Sequence, residues 1–273
     1  MAVNLAEKYS QKVAERFAIQ SLTDAYAGKD YEFNGVKTIK IYSVNTVAMT
    51  DYTRSGTARF GALEELGDTT QEMVLTKDRG FTFSIDKGNA AQQYNIKQAN
   101  KSLKREIDEV VTPEVDTHRL AKWAAGAGKT NADGSLTKTN VLEKIFHGGM
   151  EMSNALVPKA GRTMFIKESV FFNVKLADQI LGVDKLGAQA LSAGSVGKLD
   201  GMNIVPVPDS LMPEGANFII KAKGTTVDPM QLKTYRILKE VQGVDGDVVE
   251  GRIIYDSFVL DARKNGIYVS TTA

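Results

Sequence analysis

The chain has 273 residues, of which 42% are hydrophobic and 25% are charged, a balance that excludes disorder over most of its length. Its 34 Lys and Arg residues nearly equal its 33 Asp and Glu residues, so it lacks the basic excess of a tight nucleic-acid binder, and we expect only weak, non-specific contact with DNA. It contains no cysteine, which excludes disulfides, thiolate metal sites and a cysteine nucleophile. We find neither the apolar core of a secretory signal nor the roughly 18-residue apolar run of a membrane helix.

The N-terminal segment predicts a short amphipathic helix over residues 4–20. Leu5, Tyr9, Val13 and Phe17 recur at every fourth position, and charged residues occupy the other faces. No adjacent segment offers this apolar stripe an obvious partner. Two interpretations stay open: the helix folds back on its own core, or it is an arm that docks on a neighbouring subunit.

Two runs with strand character follow. Residues 36–47 are rich in β-branched side chains, and apolar residues alternate with polar ones over 71–86, which predicts a long antiparallel hairpin. Residues 49–68, called the tip below, are polar and contain three glycines. A strand of about 13 residues would span roughly 43 Å, so this hairpin has little to pack against in its own domain and could reach a neighbour.

A long helical pattern occupies residues 89–126, with Pro113 inside it. Proline either kinks one long helix or stands at the first position of a second helix. We favour the single kinked helix.

The remainder predicts a mixed α/β region. We expect helices from Thr139 or Asn140 to about residue 155 and over 168–181, and strands at 162–167, 202–208 and 217–222. A strand at 234–241 and a turn at 243–247 come next. Two final strands are predicted to form a hairpin turning at Lys264–Gly266.

The motifs that suggest catalysis are weak. Residues 127–130 read Ala-Gly-Lys-Thr, but a phosphate-binding loop needs glycine where Trp123 stands and follows a strand, so we predict a helix C-cap and an exposed turn. The two histidines, His118 and His147, belong to no spaced cluster of ligands. We therefore predict a non-enzyme with no catalytic residue, no cofactor and no metal.

Four stretches, at residues 3–17, 46–89, 105–124 and 255–269, together resemble the major capsid proteins of tailed bacteriophages, which have the Hong Kong 97 type fold. No single stretch is chemically diagnostic, and the likeness lies in the ordered set, which covers essentially the whole chain. The resemblance implies an α+β capsid fold. Its expected parts are an N-terminal arm (1–32), an extended β-hairpin loop (33–88), a peripheral domain with a spine helix (89–130), a mixed α/β axial domain (131–230) and C-terminal strands returning to the peripheral domain (231–273).

The resemblance also implies a function. We expect a head protein that self-assembles into pentamers and hexamers, forming an icosahedral or prolate shell around phage double-stranded DNA. The implied partners are further copies of the chain, a portal protein, a decoration protein and a separate scaffolding protein, unless the chain is a mature form. It would be assembled in the bacterial host cytoplasm and reside in the virion. The tip contains no lysine, which argues against the covalent crosslink that some relatives form there.

Nine residues are candidates for contacts between subunits. The tip supplies charges for ion pairs and aromatic anchors, and the arm supplies apolar side chains; the alternative for each is ordinary surface exposure or packing within one subunit. The candidates are Arg54, Arg59, Glu64 and Glu65 as charges, Tyr52 and Phe60 as anchors, and Leu5, Tyr9 and Phe17 on the arm.

Three other functions stay open at this stage. A phage tail tube or sheath subunit would form open helical polymers, because its head-to-tail contact does not close. A nucleotide-binding enzyme would use Ala-Gly-Lys-Thr and form a small oligomer. A nanocompartment shell protein would share the fold but enclose protein cargo.

Overall fold

The computed structural model describes residues 20–29, 38–86, 99–177, 197–239 and 241–273. Its helices are α1 (Ala99–Glu106), a π-helical segment (Ile107–Val111), α2 (Thr112–Ala125), α3 (Val141–Asn154) and α4 (Glu168–Lys175), with 3-10 turns at Asp24–Tyr26 and Asp261–Gly266. Its strands are β1 (Thr38–Val44), β2 (Asp68–Val74), β3 (Lys77–Asp86), β4 (Lys129–Ala132), β5 (Arg162–Lys167), β6 (Lys198–Leu199), β7 (Met202–Val207), β8 (Ala216–Ala222), β9 (Thr226–Val227), β10 (Met230–Lys239), β11 (Gly246–Tyr255), β12 (Phe258–Val259) and β13 (Ile267–Thr271).

A six-stranded mixed sheet, in the order β4-β13-β8-β5-β7-β6, forms the centre of the larger part of the molecule. Its middle strands, β5 and β8, are almost wholly buried, because both faces of the sheet are covered. Helices α3 and α4 pack on one face through a cluster that includes Ile145 and Phe171. Helix α2 covers the other face with Leu120 and Trp123. The result is a three-layer arrangement with two apolar cores.

The spine helix is continuous through its described part. Helix α1 passes into the π-helical segment and then into α2 without leaving helical backbone angles. Pro113, which has no N–H to donate, stands directly after the π-helical segment in the first turn of α2. The wider turn immediately before it closes with the Thr112 N–H donating to the Ile107 carbonyl. The single helix favoured from the sequence is thus confirmed over residues 99–125; residues 89–98 lie outside the described part.

The predicted hairpin is half correct. Strand β1 pairs antiparallel with β2, from Thr38 opposite Val74 to Val44 opposite Asp68. The expectation that residues 77–86 continue this hairpin was wrong, because β3 pairs with β11 in a three-stranded sheet of order β10-β11-β3. Alternation at period two specifies a strand but not its partner. The ladder therefore spans seven residues on each strand, not about 13.

The predicted C-terminal hairpin was also wrong. Residues Asp261–Gly266 form a 3-10 helix, whose Lys264 carbonyl accepts the Gly128 N–H at 2.9 Å. The flanking strands part there: β12 pairs with β9, and β13 joins the six-stranded sheet between β4 and β8. Strands β10 and β11 return to the three-stranded sheet, where they join β3. Strand β13 does not return there, because it belongs to the six-stranded sheet. The domain boundaries themselves stay a prediction.

Other predicted elements are confirmed with small changes. Strand β5 has the predicted bounds, and β7, β8 and α3 agree to within one residue or two. Helix α4 ends at Lys175 rather than continuing to 181, and Leu176 just beyond it is exposed; residues 178–181 lie outside the described part.

Candidate assembly surfaces

Exposed apolar side chains concentrate on the hairpin and its tip. Ile39 and Ile41 face the core, whereas Tyr42 and Val44 lie outward on the other face of the same strand. Several large apolar side chains exposed on one element are typical of an interaction site. The exposed members are Tyr42, Val44, Val47, Met49, Tyr52, Phe60, Leu63, Leu66 and Val74.

The tip has an internal order of its own. The Tyr52 and Phe60 rings meet edge to face at 5.1 Å between centroids. The Thr53 N–H donates to the Arg59 carbonyl at 3.1 Å, and Thr50 Oγ1 donates to the Phe60 carbonyl at 3.1 Å. Position 61 requires glycine because its φ is +94°. These bonds hold Phe60, 87% exposed, in a defined position facing away from the rest of the subunit.

The charged tip residues are likewise unsatisfied within the subunit. Arg54, Glu64 and Glu65 are exposed, and among the described residues none of them forms an ion pair. Arg59 donates through Nε to the Gly56 carbonyl at 3.0 Å, and within the described residues it forms no ion pair. The tip therefore presents apolar groups together with charges of both signs.

The root of the hairpin is firmly held, in contrast to its tip. Met73 and Leu75 are buried in a small cluster with Val227 and Leu260. Gln71 bonds twice to the chain at the end of β12: its Nε2 donates to the Val259 carbonyl at 2.8 Å, and its Oε1 accepts the Asp261 N–H at 3.0 Å. A rigid base with an exposed end is the geometry of an element that reaches another molecule.

A buried carboxylate reinforces this root. Asp256 accepts the N–H and hydroxyl of Thr76 at 2.9 and 2.7 Å, the Ser257 N–H at 2.9 Å and His118 Nε2 at 2.9 Å. Burial alone would raise the pKa of Asp256, but these hydrogen bonds outweigh it and hold the pKa well below its ordinary value. Because Thr76 joins β2 to β3 and His118 lies on α2, Asp256 fixes the hairpin to the spine helix.

Residues 20–29, called the strap below, lie against the spine helix. Asp116 of α2 accepts the Ser21 hydroxyl and the Leu22 N–H, both at 2.8 Å, and the Thr23 hydroxyl at 2.5 Å. Arg119, one turn further on, donates to the Thr23 hydroxyl at 3.1 Å. Three hydrogen bonds to one buried carboxylate therefore fix the N-terminal end of the strap to α2.

The other end of the strap is held by Asp228. This side chain is fully buried and accepts the Gly28 N–H at 2.8 Å, Trp123 Nε1 at 2.9 Å and the Ser257 hydroxyl at 2.5 Å. Gly28 is required by packing, because a Cβ there would collide with the Thr226 carbonyl. Asp228 thus connects the strap, the spine helix and the C-terminal part of the chain.

Lys221 completes this buried group. Its side chain is 3% exposed, and its Nζ lies 3.9 Å from Asp228, 4.0 Å from the centre of the Trp123 ring and 2.6 Å from the Tyr26 carbonyl, to which it donates. Burial lowers the pKa of Lys221 to about 8, with Asp228 opposing the shift and Arg119 adding to it.

This shift predicts that the free energy of unfolding rises as the pH increases from 8 towards 10.5. In that interval the unfolded chain, whose lysine keeps its ordinary pKa of 10.5, binds more protons than the folded chain, so raising the pH favours folding. We expect a gain of about 2 kcal/mol between pH 7.5 and 9.5. Urea titrations of the wild type and of Lys221→Met measure it.

The difference between the two proteins isolates Lys221, because the other titrating groups are common to both. Tyr255 and Tyr268, whose pKa values are raised by burial, would lower stability only above about pH 10. Equal pH slopes in the two proteins would contradict the prediction.

The Ala-Gly-Lys-Thr motif follows a helix, not a strand. Ala-Gly-Lys-Thr follows the C-terminus of α2, where Gly126 donates to the Lys122 carbonyl, and its last two residues begin β4. The predicted helix cap is confirmed, but the exposed turn is replaced by a strand. Over the described ranges, no group of three or more His, Asp or Glu residues could hold a metal. Nor does any helix in that part of the chain have the length and apolar character to cross a membrane.

Of the predicted set, the structure brings the Tyr52 and Phe60 rings into contact, whereas within the described part Arg54, Arg59, Glu64 and Glu65 form no ion pair with one another. Leu5, Tyr9 and Phe17 lie outside the described residues. The sequence analysis missed Met49 and Leu63, although both are fully exposed; apolar residues inside so polar a tip were the available signal. It also missed the buried carboxylates at 228 and 256, because no local pattern marks a partner that lies 100 or more residues away.

Comparison with protein-family models gives no match, and comparison with curated proteins gives none either. Solved structures, in contrast, match over nearly the whole chain. A capsid structure of the cyanophage P-SCSP1u has a TM-score of 0.79 at 12% identity, covering 98% of this chain and 92% of that one. A chain of Mycobacterium phage Che8 has a TM-score of 0.78 at 17% identity, covering 98% and 97%.

A third match is the mature capsid of bacteriophage PhiM1, with a TM-score of 0.75 at 13% identity, covering 98% of this chain and 92% of that one. Sequence identities this low carry information on the fold alone. The α+β phage capsid fold predicted from the sequence is confirmed, and the chain has the fold of the proteins that form these phage capsids.

Proposed function

We propose that this protein is a major capsid protein of a tailed bacteriophage, with a structural rather than a catalytic role. The observation that carries the proposal is the whole-chain match to phage capsid structures, at 98% coverage of this chain. Nearly complete coverage of both chains means that little of this chain is left over to form a separate catalytic domain. Copies of the chain would form pentamers and hexamers and close into a shell around double-stranded DNA.

The hairpin supports this proposal independently of the comparisons. Its root is fixed by a buried cluster and by Asp256, whereas its tip exposes Phe60, Leu63 and Met49. Apolar side chains exposed to solvent in this way would be stabilised by burial against a second copy of the chain.

We propose the predicted tip residues as contacts between subunits. Tyr52 and Phe60 would be the anchors, with Leu63 and Met49 added from the structure, because large apolar side chains dominate the energy of interfaces. Arg54, Arg59, Glu64 and Glu65 would form ion pairs around them. Each exposed pair contributes only about 0–1 kcal/mol, so the charges would set orientation more than affinity. The docking of Leu5, Tyr9 and Phe17 on a neighbour stays a prediction from the sequence.

Further partners belong to the same proposal. We expect a separate scaffolding protein, a portal protein and a decoration protein, assembly in the bacterial host cytoplasm, and residence in the virion. The near-zero net charge suits a wall that contacts packaged DNA weakly and without sequence preference.

Negative-stain microscopy of the purified protein after size-exclusion chromatography tests the proposal, with and without a co-expressed candidate scaffolding protein. We expect closed isometric or prolate shells, or rings of five and six subunits. Tubes would indicate a tail tube or sheath subunit, and a monomer or dimer under every condition would contradict self-assembly. Shells that enclose protein rather than DNA in the producing cell would indicate a nanocompartment.

A further inference from the structure

Two strands of two residues each connect the strap to the hairpin root. Thr226–Val227 pairs antiparallel with Phe258–Val259, and we call this pair the clasp. A buried carboxylate lies next to each strand of the clasp. Asp228 directly follows Thr226–Val227, and Asp256 lies two residues before Phe258–Val259. Both side chains are fully buried, and they serve different parts of the molecule.

Both carboxylates accept from the spine helix, Asp228 from Trp123 and Asp256 from His118, but each also holds an element that the other does not. Asp228 accepts the Gly28 N–H of the strap at 2.8 Å. Asp256 accepts both the N–H and the hydroxyl of Thr76, at the hairpin root, at 2.9 and 2.7 Å. The strap and the hairpin root are therefore each fixed to one side of the clasp by a buried, charge-assisted hydrogen bond.

Ser257 joins the two carboxylates directly. Its hydroxyl donates to Asp228 Oδ1 at 2.5 Å, and its N–H donates to Asp256 Oδ1 at 2.9 Å. A backbone bond reinforces the link, because the Asp256 N–H donates to the Pro229 carbonyl at 3.2 Å. One serine thus completes a continuous buried network from Gly28 to Thr76.

We infer that this network couples the strap to the hairpin root, with the Ser257 hydroxyl as the link. Weakening the hydrogen bonds that hold the strap would then weaken those that hold the hairpin root, and the reverse. Buried hydrogen bonds in a low-dielectric interior support one another, and loss of one member weakens its neighbours. This consequence for assembly rests on the proposed function: when either the strap or the hairpin contacts another subunit, the hydrogen bonds that hold the other would change as well. Coupling of this kind is a free energy between two sites and is measured by perturbing one and observing the other.

Hydrogen exchange of the full-length chain, kept below its assembly concentration, tests the coupling. Asp116→Ala removes the strap's acceptor on the spine helix without touching Asp228, Ser257 or Asp256. We expect faster exchange of the Gly28 amide and also of the Thr76 amide, the latter by about fivefold or more. In a Ser257→Ala background, Asp116→Ala should still accelerate Gly28 but change Thr76 by less than about twofold.

Ser270→Ala is the matched control, because Ser270 is also fully buried and its hydroxyl donates to a carboxylate, Asp133, at 2.6 Å. In that background the effect of Asp116→Ala on Thr76 should persist. An unchanged Thr76 amide in the single variant Asp116→Ala would overturn the inference, and so would an equal effect with and without the Ser257 hydroxyl. If Ser257→Ala does not fold, Ser257→Cys keeps the volume and weakens the donor, and the same comparison applies. The experiment uses unassembled chains, so a lack of coupling and a failure to form shells are separate results.

Discussion

The double substitution Phe60→Ser with Leu63→Ser should strongly weaken assembly while leaving the subunit folded. Both side chains are almost completely exposed in the subunit, at 87% and 103%, so their loss should change the free energy of unfolding by less than about 1 kcal/mol. Burying each of them at an interface would contribute about 1.5–3 kcal/mol. The concentration at which half the protein is assembled should therefore rise by at least about a hundredfold, as measured by sedimentation velocity over a dilution series.

Thr57→Ala provides the control at the same tip. Thr57 is exposed and polar, so its replacement should leave both the folding and the assembly concentration unchanged. Unchanged assembly of the double variant would mean that the tip does not contact other subunits. The function proposed from the fold would then lack its best-supported interface. The single substitution Arg54→Glu should raise the assembly concentration by less than the double variant does, and this rise should shrink at high salt, because exposed ion pairs are screened.

The elements that could be predicted from the sequence are those whose signal is local. The short apolar run at 162–167 predicted β5 with its correct bounds, and the glycine after α2 marked the C-terminus of that helix. The partner of a strand is not a local property. Residues 77–86 alternate as a half-buried strand whether they pair with β1 or with β11, and the choice depends on contacts some 170 residues away, such as Arg252 with Asp78.

The buried polar groups were beyond prediction for the same reason. Arg162 reads as an ordinary charged residue at the start of a strand, yet its side chain is buried. It donates to three carbonyls, of Gly149, Val157 and Pro158, which places its charge at the C-terminus of α3, where cations are favoured. Only the fold brings these acceptors together. The exposed tip is the opposite case, since its polarity and glycines alone indicated a segment with no partner in its own domain.

Asp228→Ala should be among the most destabilising single substitutions in the chain, with a loss of about 3–5 kcal/mol in the free energy of unfolding. The carboxylate accepts hydrogen bonds from Gly28, Trp123 and Ser257, and alanine would leave these buried donors without an acceptor. It would also leave the ammonium of Lys221, 3.9 Å away, without its buried counter-charge. Removing one member of a buried charged group costs far more than the group contributes as a whole, because the remaining charge stays desolvated.

Two further variants locate the cause of that loss in urea titrations. Asp209→Ala removes an exposed carboxylate that accepts the Ser169 N–H at 3.1 Å, and should cost less than about 1 kcal/mol because the groups it leaves can bond to water. Asp228→Asn keeps the volume and one acceptor oxygen but not the charge, so its loss should lie between the two. The double variant Asp228→Asn with Lys221→Met should recover part of that loss, because it also removes the unpaired charge. No recovery would mean that the hydrogen bonds to the strap and to Trp123, rather than the charge pair, account for the stability that Asp228 provides.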